Sequence, residues 1–147
     1  MSKSTTRLAF LDINVWLALS TEDHQHFKPA WRWYMETPPD TVFVFCRLTQ
    51  LGFLRLLTTR SVMGKGTLTQ AEAWHAYDQW FEAAGAVFAD EPAALESEFR
   101  VKTGRENASP KEWADAYLAA FAEAAKLTLV TFDRALAEKA KGAVLLG

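Results

Sequence analysis

The sequence has a single cysteine, Cys46, and no long apolar run. One cysteine cannot form an internal disulfide, which fits a reducing compartment, so we expect a cytoplasmic protein. No apolar stretch reaches the length of a membrane span. The N-terminal MSKSTTR leads into only a short apolar run, so we expect neither a signal peptide nor a membrane association.

An excess of basic residues is also absent. The 16 Lys and Arg residues are balanced by 18 Asp and Glu residues, which gives a formal net charge of -2. This balance excludes a generally basic nucleic-acid binder but leaves room for a local basic patch. Half of the residues are hydrophobic and 13% are aromatic, which excludes a disordered chain. With 147 residues and no linker or repeat, the sequence predicts one domain over residues 1–147.

Short apolar runs alternate with helical patterns along the chain. Strands are predicted at RLAFLD, TVFVFC, AVFA, LTLVTF and AVLLG. Helices are predicted at VWLALS, PAWRWYMET, LTQLGFLRLLTT and TQAEAWHAYDQWFEAAG, the last one closed by Gly85. The segment TTRSVMGKG is typical of a flexible loop. This alternation predicts an α/β fold with a mainly parallel sheet that helices cover on both faces.

A further helix in ENASPKEWADAYLAAFAEAAK has a recognisable start. Ser109 is the expected N-cap, Pro110 the first helical residue and Glu112 the third, which together form a capping box. Asp115 then falls in the second turn, on the same face as Leu118, Ala119 and Ala122.

Three aspartates are candidates for a functional site. Asp12 and Asp133 each follow a predicted strand and precede a helix, and sites in open α/β sheets form at the carboxyl ends of strands. Both are also compatible with a simple role as helix N-caps. Asp115 favours the functional interpretation, because a carboxylate on an apolar helix face is unfavourable unless something neutralises it.

Three acids at one sheet edge repel one another unless a cation lies among them. Oxygen-only ligands suit Mg²⁺ or Mn²⁺. Zinc is disfavoured because no cluster of Cys and His has ligand spacing, and His24 and His26 are more typical of a helix start or a surface.

The ordered segments FLDINVWLAL, LTQLGFLRLLT, WADAYLAAFA and LVTFDRAL resemble the PIN-domain nucleases, and within them the VapC-type toxins of bacterial toxin–antitoxin pairs. The segments span nearly the whole chain in the order typical of that family. The resemblance implies a three-layer α/β/α fold and metal-dependent endoribonuclease activity on RNA. It also implies homodimers and inhibition by a cognate antitoxin protein.

The resemblance also assigns individual roles. Asp12, Asp115 and Asp133 match the catalytic, metal-binding acids, while Asn14 and Thr131 match polar residues that hydrogen-bond the carboxylates or bound water. Gln50 departs from the pattern, because the family usually has a glutamate there. Gln50 is expected to accept a hydrogen bond from a metal-bound water or to offer its carbonyl oxygen to the ion, but it brings no charge. The sequence thus predicts three acids rather than four, which weakens a second metal site more than the first.

Substrate binding requires positive charge. The span from residue 41 to residue 71 contains no acid, and its four basic residues are tentative RNA phosphate contacts: Arg47, Arg55, Arg60 and Lys65. Arg55 is equally compatible with pairing to a site acid. The tryptophan-rich helices are mostly expected in the core, and some of their aromatic residues are candidates for a dimer face or an antitoxin groove.

Three other functions compete with this hypothesis. A phosphatase with a nucleophilic Asp12 typically has a second acid two residues on, where this chain has Asn14. A receiver domain requires an acid after a middle strand, but TVFVFC ends without one. The stronger alternative is a PIN-like protein that binds RNA or an antitoxin and has lost catalysis through Gln50.

Overall fold

Five short strands form one sheet at the centre of the molecule. The structure is a computed structural model that describes residues 7–147, so the expectation drawn from the N-terminal MSKSTT lies outside the described residues. The strands are β1 (Leu8–Leu11), β2 (Val42–Phe45), β3 (Val87–Phe88), β4 (Thr128–Thr131) and β5 (Val144–Leu145). Their order is β3-β2-β1-β4-β5, and all neighbouring strands are parallel. The predicted parallel α/β sheet is confirmed.

Helices connect the strands. They are α1 (Ile13–Ser20), α2 (Phe27–Glu36), α3 (Arg47–Leu57), α4 (Arg60–Met63), α5 (Gln70–Ala84), α6 (Leu95–Thr103), α7 (Glu112–Ala125) and α8 (Arg134–Lys139). Gly85 ends α5 at a φ of 67°, as the sequence predicts, because glycine adopts this left-handed conformation without steric penalty. Within the described residues, no helix combines the length and the apolar character needed to cross a membrane.

The three central strands, β1, β2 and β4, are buried on both faces, which gives three layers. Alternate side chains of β1 and β2, such as Leu11 and Phe45, pack on one face with helices α1, α2, α3 and α5. The intervening residues, such as Phe10 and Val44, pack on the other face with α6, α7 and α8. This two-sided burial explains the nearly continuous apolar composition of the strands.

Helices α1 and α3 approach each other closely at Gly52. A Cβ atom added at this position would lie 2.2 Å from Cδ1 and 2.8 Å from Cγ1 of Ile13. Glycine therefore allows the helix that starts after β2 to pack directly against the helix that starts at Asp12.

The predicted capping box of α7 is wrong. The helix begins at Glu112, with Lys111 at the N-cap position and no side-chain cap, and the Glu112 N–H donates to the Ser109 carbonyl in the preceding turn. The Glu112 carboxylate instead accepts a hydrogen bond from Lys139 Nζ at 2.8 Å. The Glu112 side chain thus pairs with a cation on another helix, and Asp115 lies in the first turn of α7 rather than the second.

Two further segments differ from the sequence-based expectation. The predicted loop TTRSVMGKG contains α4 and a 3₁₀ turn at Gly64–Gly66. Helix α6 was not predicted, because its apolar residues are sparse and its charges dominate the pattern. Its acids lie in the first turn and its basic residues in the last, an arrangement that the helix dipole stabilises.

Candidate active site

Asp12 and Asp133 lie at the carboxyl ends of two neighbouring strands. Asp12 directly follows β1, Asp133 lies two residues after β4, and the two strands pair with Leu11 beside Val130. Asp115 comes from the first turn of α7, which packs on the same sheet. Three separate elements therefore bring the three aspartates to one region of the sheet edge.

Asp12 is buried, with 9% of its surface exposed. Its Oδ1 accepts a hydrogen bond from the Ile13 N–H at 2.8 Å, and its Oδ2 accepts one from the Thr131 hydroxyl at 2.8 Å. Burial raises the pKa of the Asp12 carboxyl, and the negative charges of Asp115 and Asp133 raise it further, while the two hydrogen bonds oppose this shift. The site therefore holds a carboxylate in a position where its charge is disfavoured.

Thr131 connects the two strand-end aspartates. Its hydroxyl donates to Asp12 and accepts the Asp133 N–H at 3.0 Å, and the residue is completely buried. Asp133 Oδ1 in turn accepts the N–H groups of Ala135 and Leu136, at 2.9 and 3.2 Å, at the start of α8. Both aspartates thus accept hydrogen bonds from N–H groups at helix starts. Capping alone does not explain why two negatively charged side chains lie where they repel each other.

Asp115 is half-buried on the same edge. Burial raises the pKa of its carboxyl, the Asp133 charge adds to this effect, and the Lys139 ammonium opposes it. Among residues 7–147, the ion pairs are Arg100–Glu96, Lys102–Glu123 and Lys139–Glu112. None of them involves the three aspartates, so in the described part of the chain no direct ion pair compensates their charges.

The donor set fits a hard divalent cation. Within residues 7–147, no group of three or more Asp, Glu, His and Cys side chains is drawn together tightly enough to form a metal cluster. The hydrogen bonds that Asp12 and Asp133 accept hold both carboxylates against backbone N–H groups. A carboxylate offers about four acceptor positions, so these bonds leave oxygen lone pairs for a cation such as Mg²⁺.

The two remaining polar candidates make no hydrogen bond to the aspartates within the described chain. Asn14 is exposed in the first turn of α1 and makes no hydrogen bond to the aspartates within the described chain. Gln50 is buried in α3, where its Oε1 accepts a hydrogen bond from Arg47 Nη1 and its side chain contacts the Tyr77 hydroxyl. The structure therefore directs Gln50 toward Arg47 and Tyr77.

The four basic candidates do not form one patch. Arg47 begins α3 at the sheet edge where the strands end. Arg55 lies eight residues later in the same helix, about 12 Å along its axis at 1.5 Å per residue, and Arg60 and Lys65 follow the far end of α3. The direction of α3 thus separates Arg47 from the other three.

Lys139 is a residue that sequence analysis missed. Its ammonium group binds Glu112 and influences Asp115, although it lies 27 positions from Glu112 in the sequence. No local pattern indicates this contact, since it depends on how α8 packs against α7.

The Thr131 hydroxyl offers a direct test of this geometry. We expect Thr131→Val to reduce stability by about 1–3 kcal/mol, because it leaves the Asp133 N–H and one Asp12 oxygen without their partner. Because Thr131 orients Asp12, we also expect an activity loss of about 10–100-fold. Urea unfolding measures the change in stability, and the initial rate of the catalysed reaction measures the change in activity. Thr131→Ser keeps the hydroxyl and serves as the control; equal behaviour of the two variants contradicts the role of the hydroxyl.

Comparison with known proteins agrees with the fold. The sequence pattern of the PIN domain matches residues 9–142, so the chain belongs to the PIN domain family. Within that family it groups with the VapC proteins. It is 41% identical over 131 aligned residues to ribonuclease VapC41 of Mycobacterium tuberculosis. This alignment covers 86% of this chain and 90% of the relative. It is 31% identical over 141 residues to ribonuclease VapC39 of the same organism, covering 93% and 96%.

Several solved structures have a similar fold. VapC20 of Mycobacterium tuberculosis, described as a Sarcin-Ricin loop cleaving toxin, superposes with a TM-score of 0.62 at 17% identity, over 88% of this chain and 93% of that one. VapBC2 of Rickettsia felis, bound to a promoter DNA fragment, gives a TM-score of 0.61 at 10% identity, over 94% and 96%. At these identities the likeness establishes the fold alone.

Proposed function

We propose that this protein is a metal-dependent endoribonuclease, the toxin component of a type II toxin–antitoxin system. The observation that carries the proposal is the meeting of Asp12, Asp115 and Asp133 at one sheet edge without a direct ion pair in the described chain. The relatives that are 41% and 31% identical to this chain over the aligned residues are named ribonucleases, which supports cleavage rather than a protein that has lost it.

The three aspartates would hold Mg²⁺ or Mn²⁺, because carboxylate oxygens are the ligands these ions prefer. When bound, such an ion activates water and stabilises the charge that develops on a phosphodiester during in-line attack. The chain itself keeps Asp12 in place through Thr131 and the Ile13 N–H. Lys139 partly offsets the negative charge around Asp115.

RNA would approach the same edge of the sheet. Arg47 lies there, while Arg55, Arg60 and Lys65 are exposed farther along the chain and are suited to phosphates at a distance from the cleaved bond. Asn14 is exposed at the start of α1 beside Asp12, where it would orient water or substrate.

A cognate antitoxin and a second copy of this chain are the proposed protein partners, in the cytoplasm. Large apolar side chains are exposed on several helices within the described residues, including Trp31, Leu51 and Trp74. Exposed apolar surface of this kind is typical of interaction sites. The solved structures of similar fold include VapBC2 of Rickettsia felis and FitAcB of Neisseria gonorrhoeae.

The function is tested by incubating purified protein with single-stranded RNA in EDTA, Mg²⁺ or Mn²⁺ and resolving the products on a gel. We expect cleavage only with a divalent ion. RNA binding without cleavage under all three conditions would contradict the enzyme and support the binding protein instead.

Gln50→Glu tests whether the missing fourth acid limits activity. Because Gln50 contacts Arg47 and Tyr77, we expect the new carboxylate to pair with Arg47 and to change the cleavage rate by less than about threefold. The measurement is the initial rate at saturating Mn²⁺, with Gln79→Glu on the exposed side of α5 as the matched control. A large gain of activity in Gln50→Glu alone would mean that the site needs a fourth acid.

A further inference from the structure

A small cavity opens at the sheet edge where β2 and β3 end. Its volume is about 170 Å³, below the roughly 300–1,000 Å³ of pockets for drug-sized ligands. It therefore suits one flat ring system. The residues that line it and carry chemistry or ring surface are Arg47, Phe88, Asp90, Glu91, Tyr117 and Phe121.

The strand register places this cavity close to Asp12. Asp12 follows β1, Arg47 begins the helix after β2, and Glu91 lies shortly after β3, while these strands are neighbours in the order β1, β2, β3. Two strand spacings correspond to about 10 Å. Tyr117 lies two residues after Asp115 on α7. A nucleotide adjacent to the one being cleaved is within reach of the cavity.

Arg47 presents a guanidinium group at one wall. It lies 4.7 Å above the Phe88 ring, and its Nη1 donates to Gln50. These two contacts hold the flat group in a fixed orientation. Arg47 forms no ion pair within residues 7–147, so its other N–H groups have no carboxylate partner there.

Glu91 also lines this cavity and presents a carboxylate. Its Oε2 accepts a hydrogen bond from the Tyr117 hydroxyl at 2.8 Å. Burial and this carboxylate raise the pKa of the Tyr117 phenol, which keeps the hydroxyl protonated as a donor. Within the described chain, Oε1 of Glu91 accepts no hydrogen bond, so one carboxylate oxygen is available to a ligand.

We propose that this cavity binds a guanine base of the RNA, next to the phosphodiester that is cleaved. Guanine has two adjacent donors, N1–H and the 2-amino group, that match a carboxylate, and two acceptors, O6 and N7, that match an arginine. Adenine and cytosine each place an acceptor nitrogen beside their amino group, which a carboxylate repels. The carboxylates of Asp90 and Glu91 also disfavour a phosphate group in this cavity. The inference rests on the proposed ribonuclease function and adds its base preference.

Binding of short single-stranded RNAs in EDTA tests the proposal without requiring cleavage. Each RNA carries one guanosine, inosine, 7-deazaguanosine or adenosine in a uridine background, and fluorescence anisotropy measures its affinity. We expect guanosine to bind about tenfold more tightly than adenosine, and inosine, which lacks the 2-amino group, to lose part of this gain. Loss of N7 in 7-deazaguanosine should weaken binding through Arg47.

Protein variants assign the preference to the cavity. Glu91→Gln should abolish the discrimination between guanosine and inosine, whereas Glu82→Gln, at an exposed acid of α5, should retain it. Equal affinity of the unmodified protein for all four RNAs, including no affinity for any, overturns the guanine site. The guanine site is also overturned if Glu91→Gln still discriminates between guanosine and inosine. If guanosine preference is present but no divalent ion supports cleavage, the proposed nuclease function fails while the guanine site stands.

Discussion

Asp12→Asn is expected to reduce metal-dependent RNA cleavage by more than about 100-fold and, at the same time, to stabilise the metal-free protein. Loss of a group that only orients a metal ligand typically reduces activity or metal affinity by about 10–100-fold. Loss of the charged ligand itself should exceed this range. Initial cleavage rates in Mn²⁺ measure the first effect.

The stability gain follows from the environment of Asp12. The buried carboxylate is destabilised by desolvation and by the charges of Asp115 and Asp133. Asparagine has nearly the same shape, accepts from the Ile13 N–H and donates to Thr131, and carries no charge. We therefore expect a higher unfolding temperature in EDTA for Asp12→Asn.

The control for both effects is Asp78→Asn on the exposed side of α5, which should change neither rate nor unfolding temperature. Full activity of Asp12→Asn would show that RNA cleavage does not require the Asp12 carboxylate. A large fall in its unfolding temperature would mean that Asp12 serves the fold rather than the site.

Trp16→Ala is expected to have the largest effect on stability. Trp16 is completely buried on α1, stacks on Phe45 with ring centroids 3.8 Å apart, and meets Trp80 edge-on at 5.3 Å. Removing such a side chain from a packed core costs about 3–5 kcal/mol. Urea unfolding monitored by circular dichroism measures the change.

Trp16→Phe separates ring packing from the indole N–H. The Trp16 Nε1 atom is buried and has no hydrogen-bond partner among the described residues. Phenylalanine keeps the stacking on Phe45 and removes this unpaired donor, so we expect a loss below about half of that in Trp16→Ala. Equal losses in the two variants would show that ring stacking contributes little here.

The strand-to-helix positions of Asp12 and Asp133 can be predicted from the sequence because local patterns determine them. Each acid stands between a short apolar run and a helical pattern, and each accepts hydrogen bonds from helix N–H groups in the structure. The sequence also indicates Asp115, because a carboxylate on an apolar face requires compensation. Asp115 lies near the other two aspartates because α7 packs on the sheet. The alternation of strands and helices in the sequence predicts this packing.

Contacts between distant segments could not be predicted in the same way. Glu112 pairs with Lys139 because α8 places an ammonium group beside the start of α7. Gln50 contacts Tyr77 because α3 and α5 pack together. The pairing of Glu91 with Tyr117 joins a segment after β3 to α7. Each of these contacts depends on the tertiary arrangement and leaves no periodic signal in the sequence.

Direct titration with Mn²⁺, followed by electron paramagnetic resonance, tests whether the three aspartates form one cation site. The comparison includes the unmodified protein, Asp12→Asn, Asp115→Asn, Asp133→Asn and, as control, Glu138→Gln on the exposed side of α8. We expect each aspartate variant to weaken Mn²⁺ binding by at least about tenfold, while the control leaves it unchanged. Unaltered Mn²⁺ affinity in any one of the three aspartate variants would contradict the shared site.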